Sequence, residues 1–354
     1  MTQKERIHRR RQYARRRRLV AAGGILVLLL LVALLVFLLQ MFASPASTRP
    51  ESSPPVSQST ITTKPAETTA APTTPPTRPA PDPAMDAAVT AAGAVVFDVS
   101  SGQLLYSKAG EERMYPASMT KLLTAVTALR YGGEELIYTV GDELELVAAD
   151  ASRANIQLGW KMTFSMLLDG MMLCSGNDAA YTVAVNVARS LEGNASLGTR
   201  EAVAAFADLM NRTAAEIGLT NSHFSTPDGY HADDHYSTPE DMAKVMRHVL
   251  TIPQILTSMQ KTRSSIKVLE DSAVTSFGNE VTWRNSNALI NPDSDYYFQG
   301  CLGGKTGFTT PAGQCMAVAA ERNGRQIVAI VMKAGTSGDR FADAVRLLNY
   351  GFAH

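Results

Sequence analysis

The chain has 354 residues, with 33 lysines and arginines balancing 33 aspartates and glutamates, and three cysteines. Zero net charge gives no support to an overall basic, nucleic-acid-binding protein, and an odd cysteine count implies no disulfide framework. The neutrality hides a separation: residues 1–18 hold nine Lys or Arg against the single Glu5, so they carry +8 and the remainder −8.

Residues 19–43 contain no charge and are dominated by Leu, Val and Ala. At ~1.5 Å per residue they make a helix of ~37 Å, enough to cross a ~30 Å hydrocarbon core with some tilt. A cleavable signal peptide has an apolar stretch of roughly 7–15 residues, so this one is too long. The basic cluster before it holds that end in the cytoplasm and, beside a membrane span, needs no nucleic-acid partner. The expectation is a cell-membrane protein with a single-pass type II signal anchor and the rest of the chain on the extracytoplasmic side. Residues 44–84 carry eleven of the 17 prolines, with Ser, Thr and Ala filling most of the rest. Such a segment cannot offset its ordering entropy by burial and is expected to be a disordered linker. In polyproline II at ~3.1 Å per residue its reach approaches ~130 Å.

Residues 85–354 are expected to form one folded domain with a helical lobe. Residues 95–99 and 104–106 spell a hairpin about Ser100-Ser101-Gly102. Helical periodicity covers 121–130, 164–188, 201–217 and 239–250. Strand character returns at 265–269, 281–284, 301–309, 315–321 and 327–333, with turns at Pro311-Ala312-Gly313 and Asn323-Gly324. A last helix is expected over 338–350. Strands first, helices in the middle, then strands and a helix predict an α+β fold. Its antiparallel sheet is flanked by helices, and its first and last segments meet. Cys301 and Cys315 then fall out of register on one hairpin, and Cys174 reads as a packing residue in an apolar helical run.

Three motifs stand in order along this frame: Ser118-Met119-Thr120-Lys121, Ser175-Gly176-Asn177 and Lys305-Thr306-Gly307. Ser-x-x-Lys recurs at Ser258 to Lys261 and at Ser264 to Lys267, so spacing alone decides nothing. Ser118 opens a run with apolar residues at helical spacing, where a serine also reads as an N-cap. A serine hydroxyl needs an adjacent base to act as a nucleophile, and Lys121, three residues on, shares its helix face. Lysine is a base only when neutral; burial and the nearby cation Lys305 would both lower its pKa. The amides of Ser118 and Phe308 are candidate oxyanion donors. Lys305 offers a point charge to a substrate carboxylate, Thr306 a hydroxyl beside it, and Gly307 room for a substrate backbone, although Gly303, Gly304 and Gly307 also suit a bulge. Ser175 is assigned a proton relay between Lys121 and the leaving amine, and Asn177 the orientation of Lys121 and a substrate amide. Taken alone, Ser175-Gly176-Asn177 equally describes a turn or cap.

With Pro116-Ala117 before the first motif, Asp178-Ala179-Ala180 after the second, Gly303-Gly304 before the third, and His223-Phe224, Pro227-Asp228-Gly229 and Tyr236-Ser237-Thr238 between them, residues 87–354 resemble the D-alanyl-D-alanine carboxypeptidases, low-molecular-mass penicillin-binding proteins. The resemblance implies a β-lactamase/transpeptidase-like fold. It implies acylation of Ser118 by the penultimate D-Ala of a peptidoglycan stem peptide, release of the terminal D-Ala, hydrolysis by water, and covalent trapping by penicillins and other β-lactams. No metal or other cofactor is expected. A DD-endopeptidase acting on cross-links keeps the same residues, and a non-catalytic tethered sensor of β-lactams or peptidoglycan is the reading from another class. A serine β-lactamase would use Glu-x-x-Leu-Asn, whereas Glu216-Ile217-Gly218-Leu219-Thr220 places Asn221 one residue late and reads as a helix end. His231-Ala232-Asp233-Asp234-His235 with Asp228 suggests a metal, but the Pro227-Asp228-Gly229 turn favours a solvated loop. Gly-x-Ser-x-Gly is absent from the sequence.

Overall fold

The structure, a computed structural model, describes residues 79–269, 272 and 278–354. The expectations for the basic segment, the apolar stretch 19–43 and most of the linker lie outside the described residues. Among the described residues no helix is long and apolar enough to cross a membrane.

In chain order the elements are helix α1 (Pro83–Ala88), strands β1 (Gly93–Asp98) and β2 (Gln103–Lys108), helix α2 (Thr120–Arg130), and the short strands β3 (Ile137–Thr139) and β4 (Lys161–Thr163). Helices α3 (Phe164–Met172), α4 (Asn177–Leu191), α5 (Thr199–Glu216), α6 (Pro239–Val249) and α7 (Pro253–Gln260) follow, then strands β5 (Arg263–Lys267) and β6 (Glu280–Arg284). Strands β7 (Cys301–Thr309), β8 (Gly313–Arg322) and β9 (Arg325–Ala334) and helix α8 (Ser337–Ala353) complete the set.

Five strands make one antiparallel sheet in the order β2-β1-β9-β8-β7. The first and last strands meet, with Val95 opposite Ile330. Side chains alternate between two cores. Val95, Phe97, Ala317, Ala319, Val328 and Ile330 face a core shared with the helical lobe. Ala94, Val96, Met316, Val318, Ile327 and Ala329 face a second core with α8 and Met85 of α1. A sheet covered on both faces needs apolar residues along its inner strands, which is why β1 is apolar and buried from Gly93 to Phe97, with Asp98 at its buried end paired to Arg325. Turn chemistry fixes the register: Asn323 and Gly324, both at positive φ, join β8 to β9. Opposite Cys301 lies Ala320, and opposite Cys315 lies Gly307, so these cysteines are out of register; all three are free.

Several expected elements differ. The continuous helix over 164–188 is two helices, α3 and α4, separated where Ser175 adopts φ +63 and a Cβ on Gly176 would come 2.6 Å from that of Ala154. Cys174 therefore lies in this break and not within a helical run. The linker boundary at 84 falls inside α1, which Asp82 caps by accepting from the Met85 amide at 3.0 Å. Helix α7, begun by Pro253, was hidden by its short length. Strands β5 and β6 pair only with each other, outside the main sheet.

Buried carboxylates cross-brace the frame. Asp343 on α8 accepts from the amides of Thr90 and Ala91 and from the Thr90 hydroxyl, and pairs with Arg346. Asp169 on α3 accepts from Ser258, Lys261 and Ser264, so both other Ser-x-x-Lys copies give side chains to one structural carboxylate. Replacing Asp343 by alanine strands three donors and a cation. We expect a loss of about 3 kcal/mol, seen in thermal denaturation as a Tm lower by roughly 6–12 °C.

Candidate active site

Ser118 sits in a 3₁₀ turn, Ala117–Met119, that runs directly into α2. The turn is held from two sides by glycines that admit no side chain. At Gly307 on β7 a Cβ would come 3.0 Å from both the Pro116 carbonyl oxygen and the Ser118 amide nitrogen. At Gly229, with φ +78, it would come 2.0 Å from the Ala117 carbonyl oxygen. Ala117 itself is forced to φ +48, a strained conformation for a residue with a Cβ. Gly307 thus serves close approach of the strand to the nucleophile turn, and Gly303, with φ +122, marks a register shift in β7. The Phe308 side chain, next on the strand after Gly307, is exposed and lines the cleft.

Lys121 is fully buried on the first turn of α2. Its Nζ donates to Ser118 Oγ at 2.9 Å, Asn177 Oδ1 at 2.8 Å and the Asp228 carbonyl oxygen at 2.7 Å. Two of these partners can only accept. The Asn177 amide is fixed in that orientation because its Nδ2 donates to Asp228 Oδ2 at 2.6 Å. When Lys121 is neutral its lone pair must therefore turn to the Ser118 hydroxyl, the one partner able to donate. Burial pushes the Lys121 amine down from 10.5 to about 8, against the pull of Asp228 and Asp178.

Lys305 is buried beside this centre, and it donates to Ser175 Oγ at 2.9 Å and to the Thr306 carbonyl oxygen at 2.8 Å. Burial first, and then the charge of Lys121, hold its amine well below 10.5. The cleft next to Ser118, about 440 Å³, is lined by Ser175, Asn177, Thr306, Gly307 and Phe308 but not by Lys305. Ser175 is bonded to Lys305, while all three donors of Lys121 go elsewhere, so a proton relay through Ser175 begins from the Lys305 side. The cation that does line the cleft is Arg340 on α8, which the motifs did not disclose. It is 7% exposed, with its guanidinium donating to the Gly307 carbonyl oxygen at 3.3 Å and to Ser337 Oγ at 3.0 Å; its Nε has no partner among the described residues. Burial lowers its pKa from 12.5 to about 10. A signal existed in the sequence: Arg340, Ala344, Leu347 and Gly351 follow the apolar spacing of α8, and all are buried. Of the two cations it is thus Arg340 that faces the cleft, whereas Lys305, expected to offer a point charge to a carboxylate, does not line it.

The loop 231–235 is not wholly solvated as expected. His235 is buried, its Nδ1 accepting from the Ser225 and Thr226 amides at 3.1 and 3.3 Å, which leaves Nε2 to donate to Thr120 Oγ1 at 2.8 Å. Burial keeps this ring neutral, with its pKa lowered to about 3. No group of side chains suited to a metal occurs among the described residues. The other cleft wall, around 150–156, is pinned to the start of α4, where Asp178 accepts from the Ala154 and Ile156 amides.

The sequence profile of the D-alanyl-D-alanine carboxypeptidase family, peptidase S11, matches residues 78–336. A D-alanyl-D-alanine carboxypeptidase of Streptomyces sp. (strain K15) is 30% identical over 267 residues, covering 74% of this chain and 87% of the relative. The carboxypeptidase DacF of Bacillus subtilis (strain 168) is 29% identical over 267 residues, again 74% of this chain. The chain spans 62% of that relative's length, and 60% of that of DacA from Escherichia coli (strain K12). The solved Streptomyces K15 DD-transpeptidase superposes with a TM-score of 0.66 at 31% identity, over 75% of this chain and 98% of that one. A match that takes in all three motifs and the sheet that gathers them leaves one assignment: the chain belongs to the D-alanyl-D-alanine carboxypeptidase family of serine peptidases.

Proposed function

We propose that the chain is a serine D-alanyl-D-alanine carboxypeptidase that trims the terminal D-alanine from peptidoglycan stem peptides through an acyl-enzyme on Ser118. The observation that carries this is the buried Lys121 amine, whose one hydrogen-bond partner able to donate a proton, among the described residues, is the Ser118 hydroxyl. Neutral Lys121 takes that proton as Ser118 Oγ bonds to the carbonyl carbon of the penultimate D-Ala. The oxyanion that forms lies against the amides of Ser118 and Phe308, a contribution of about 3 kcal/mol per donor in comparable sites. The carbon–nitrogen bond then breaks. The leaving amine takes a proton from Lys305 through the Ser175 hydroxyl, the proton held by Lys121 passes to the Lys305 amine so left neutral, and the terminal carboxylate rests on Arg340 and Thr306. Water, deprotonated by the same Lys121 amine, cleaves the ester and frees Ser118. Penicillins enter at the acylation step. A purely sensory role is not favoured, since base and nucleophile are connected in one working arrangement, and cross-link cleavage is not favoured because the relatives carry the name D-alanyl-D-alanine carboxypeptidase.

By the same reading, residues 19–43 anchor the chain in the cell membrane and the linker carries the catalytic part to the extracytoplasmic side. The support is the uncharged 25-residue stretch behind its basic flank. The full chain is expected in membranes after alkaline carbonate washing, with residues 85–354 digested by protease added to spheroplasts; recovery in the soluble fraction would reject the anchor.

With a peptide ending in Lys-D-Ala-D-Ala, Ser118→Ala is expected to abolish D-alanine release. Arg340→Gln should lower kcat/KM roughly 100-fold for that peptide, with little change for its C-terminal amide, whose carboxylate is gone. D-alanine release that persists in Ser118→Ala would reject the nucleophile. Acylation by penicillin is expected to rise with pH as Lys121 loses its proton and to level off above about 8. The unfolded chain keeps that proton up to 10.5, so the Lys121 contribution makes stability rise with pH between about 8 and 10.5. A rate still climbing tenfold per unit at pH 10 would exclude Lys121 as the base.

A further inference from the structure

The cleft is bipolar. Among its described lining residues Arg340 is the one guanidinium or ammonium and Asp150 the one carboxylate. Arg340 matches the terminal carboxylate of the substrate. Asp150 has no counterpart in what has been assigned so far. Its Oδ1 accepts from the Tyr230 hydroxyl at 2.9 Å, and that neutral phenol is its partner among the described residues.

The loop that carries this carboxylate is tied down. Two residues on, the Ser152 carbonyl oxygen accepts from the backbone N–H of Asn177 at 2.8 Å, and Ala154 is tied to Asp178. From the other side, the Tyr230 amide donates to Asp228 Oδ1 at 3.0 Å, and Oδ2 of the same carboxylate orients Asn177. Asp150 is therefore built onto the network that positions Lys121, through both the loop that carries it and the phenol that caps it. Asp150 itself is exposed at the rim of the cleft, where the hydrogen bond from Tyr230 restrains its side chain. Its other carboxylate oxygen has no hydrogen-bond partner among the described residues, and the residue lines the cleft.

The chemistry of the substrate says what should meet it. The leaving D-alanine brings one charge, the carboxylate taken by Arg340, and neither D-alanine has a charged side chain. Any cation in the cleft must belong to the acyl side. The first residue there able to supply one is that preceding the two D-alanines. We infer that Asp150, held by Tyr230, is a specificity-determining residue that binds the side-chain ammonium of this residue. The inference rests on the carboxypeptidase reading. A lysine supplies such an ammonium, and so does diaminopimelate, whose ammonium carries a neighbouring carboxylate that would pass beside His231, also in the cleft lining.

The test compares three peptides with the full chain in detergent: lysyl-D-Ala-D-Ala, its Nε-acetylated form, and diaminopimelyl-D-Ala-D-Ala. The intact enzyme is expected to favour at least one free-amine peptide about tenfold over the acetylated one in kcat/KM, or ~1.4 kcal/mol. The better of the two identifies the stem type. In Asp150→Asn this ratio should fall to near one, and Tyr230→Phe should lower it partly. A ratio near one in the intact enzyme, or one that survives in Asp150→Asn, overturns the assignment. If no peptide releases D-alanine while penicillin still acylates Ser118, the carboxypeptidase reading fails instead. The same ratio is then read from acylation rates of penicillins bearing an ammonium or an acetamide at the end of the acyl side chain, and those rates decide on Asp150 by the same two outcomes.

Discussion

Everything in the cleft depends on holding a lysine amine in a buried position without a carboxylate touching it. A buried ammonium costs several kcal/mol unless it is compensated. Here the compensation is two neutral acceptors, Asn177 Oδ1 and the Asp228 carbonyl oxygen, together with the nucleophile itself. The Asp228 carboxylate is close enough to pull on the charge, yet its oxygens are occupied by Asn177 Nδ2 and the Tyr230 amide. The residue presents its backbone to Lys121 and its side chain to the groups that orient Lys121. Compensation stops short of an ion pair, and the amine can shed its proton near physiological pH.

That arrangement dictates the surrounding architecture. Lys121 and Ser118 come from the start of α2, Asn177 from the start of α4, Asp228 from the loop before α6, and Lys305 and Gly307 from β7. Four segments can converge only if backbones touch, and Gly307 and Gly229 are where they do. The break between α3 and α4 follows from the same demand: an unbroken helix would carry Ser175 past the cleft, whereas φ +63 at Ser175 turns its hydroxyl toward Lys305.

Much of this was legible in the sequence because the signals are local. Helical spacing located α2, α5, α6 and α8, Asn323-Gly324 located a hairpin, and each of the three motifs sends residues into the cleft. What escaped was set by distant contacts. The apolar run through 164–188 masks its break, since both helices bury the same residue types on either side of it. Arg340 lies 222 residues from Ser118 in the chain, and only the sheet pairing brings α8 beside β7. His235 sits in a polar stretch that reads as solvent-facing, yet its ring is sealed under Thr120. Charge and burial decide such roles, and neither is written in a residue's immediate neighbours.

The Asp169 cluster shows how far residue roles depend on placement. The tetrapeptide spacing that makes a nucleophile and base at Ser118 and Lys121 makes a rivet at Ser258 and Lys261, because there a carboxylate waits between the side chains. The rivet fastens α7 and β5 to α3, whose last residue lies three positions before Ser175. Any loosening of it shifts the point where the chain leaves α3 and so displaces the wall that carries Ser175. The inert copies of the motif act as the keel beneath the reactive one.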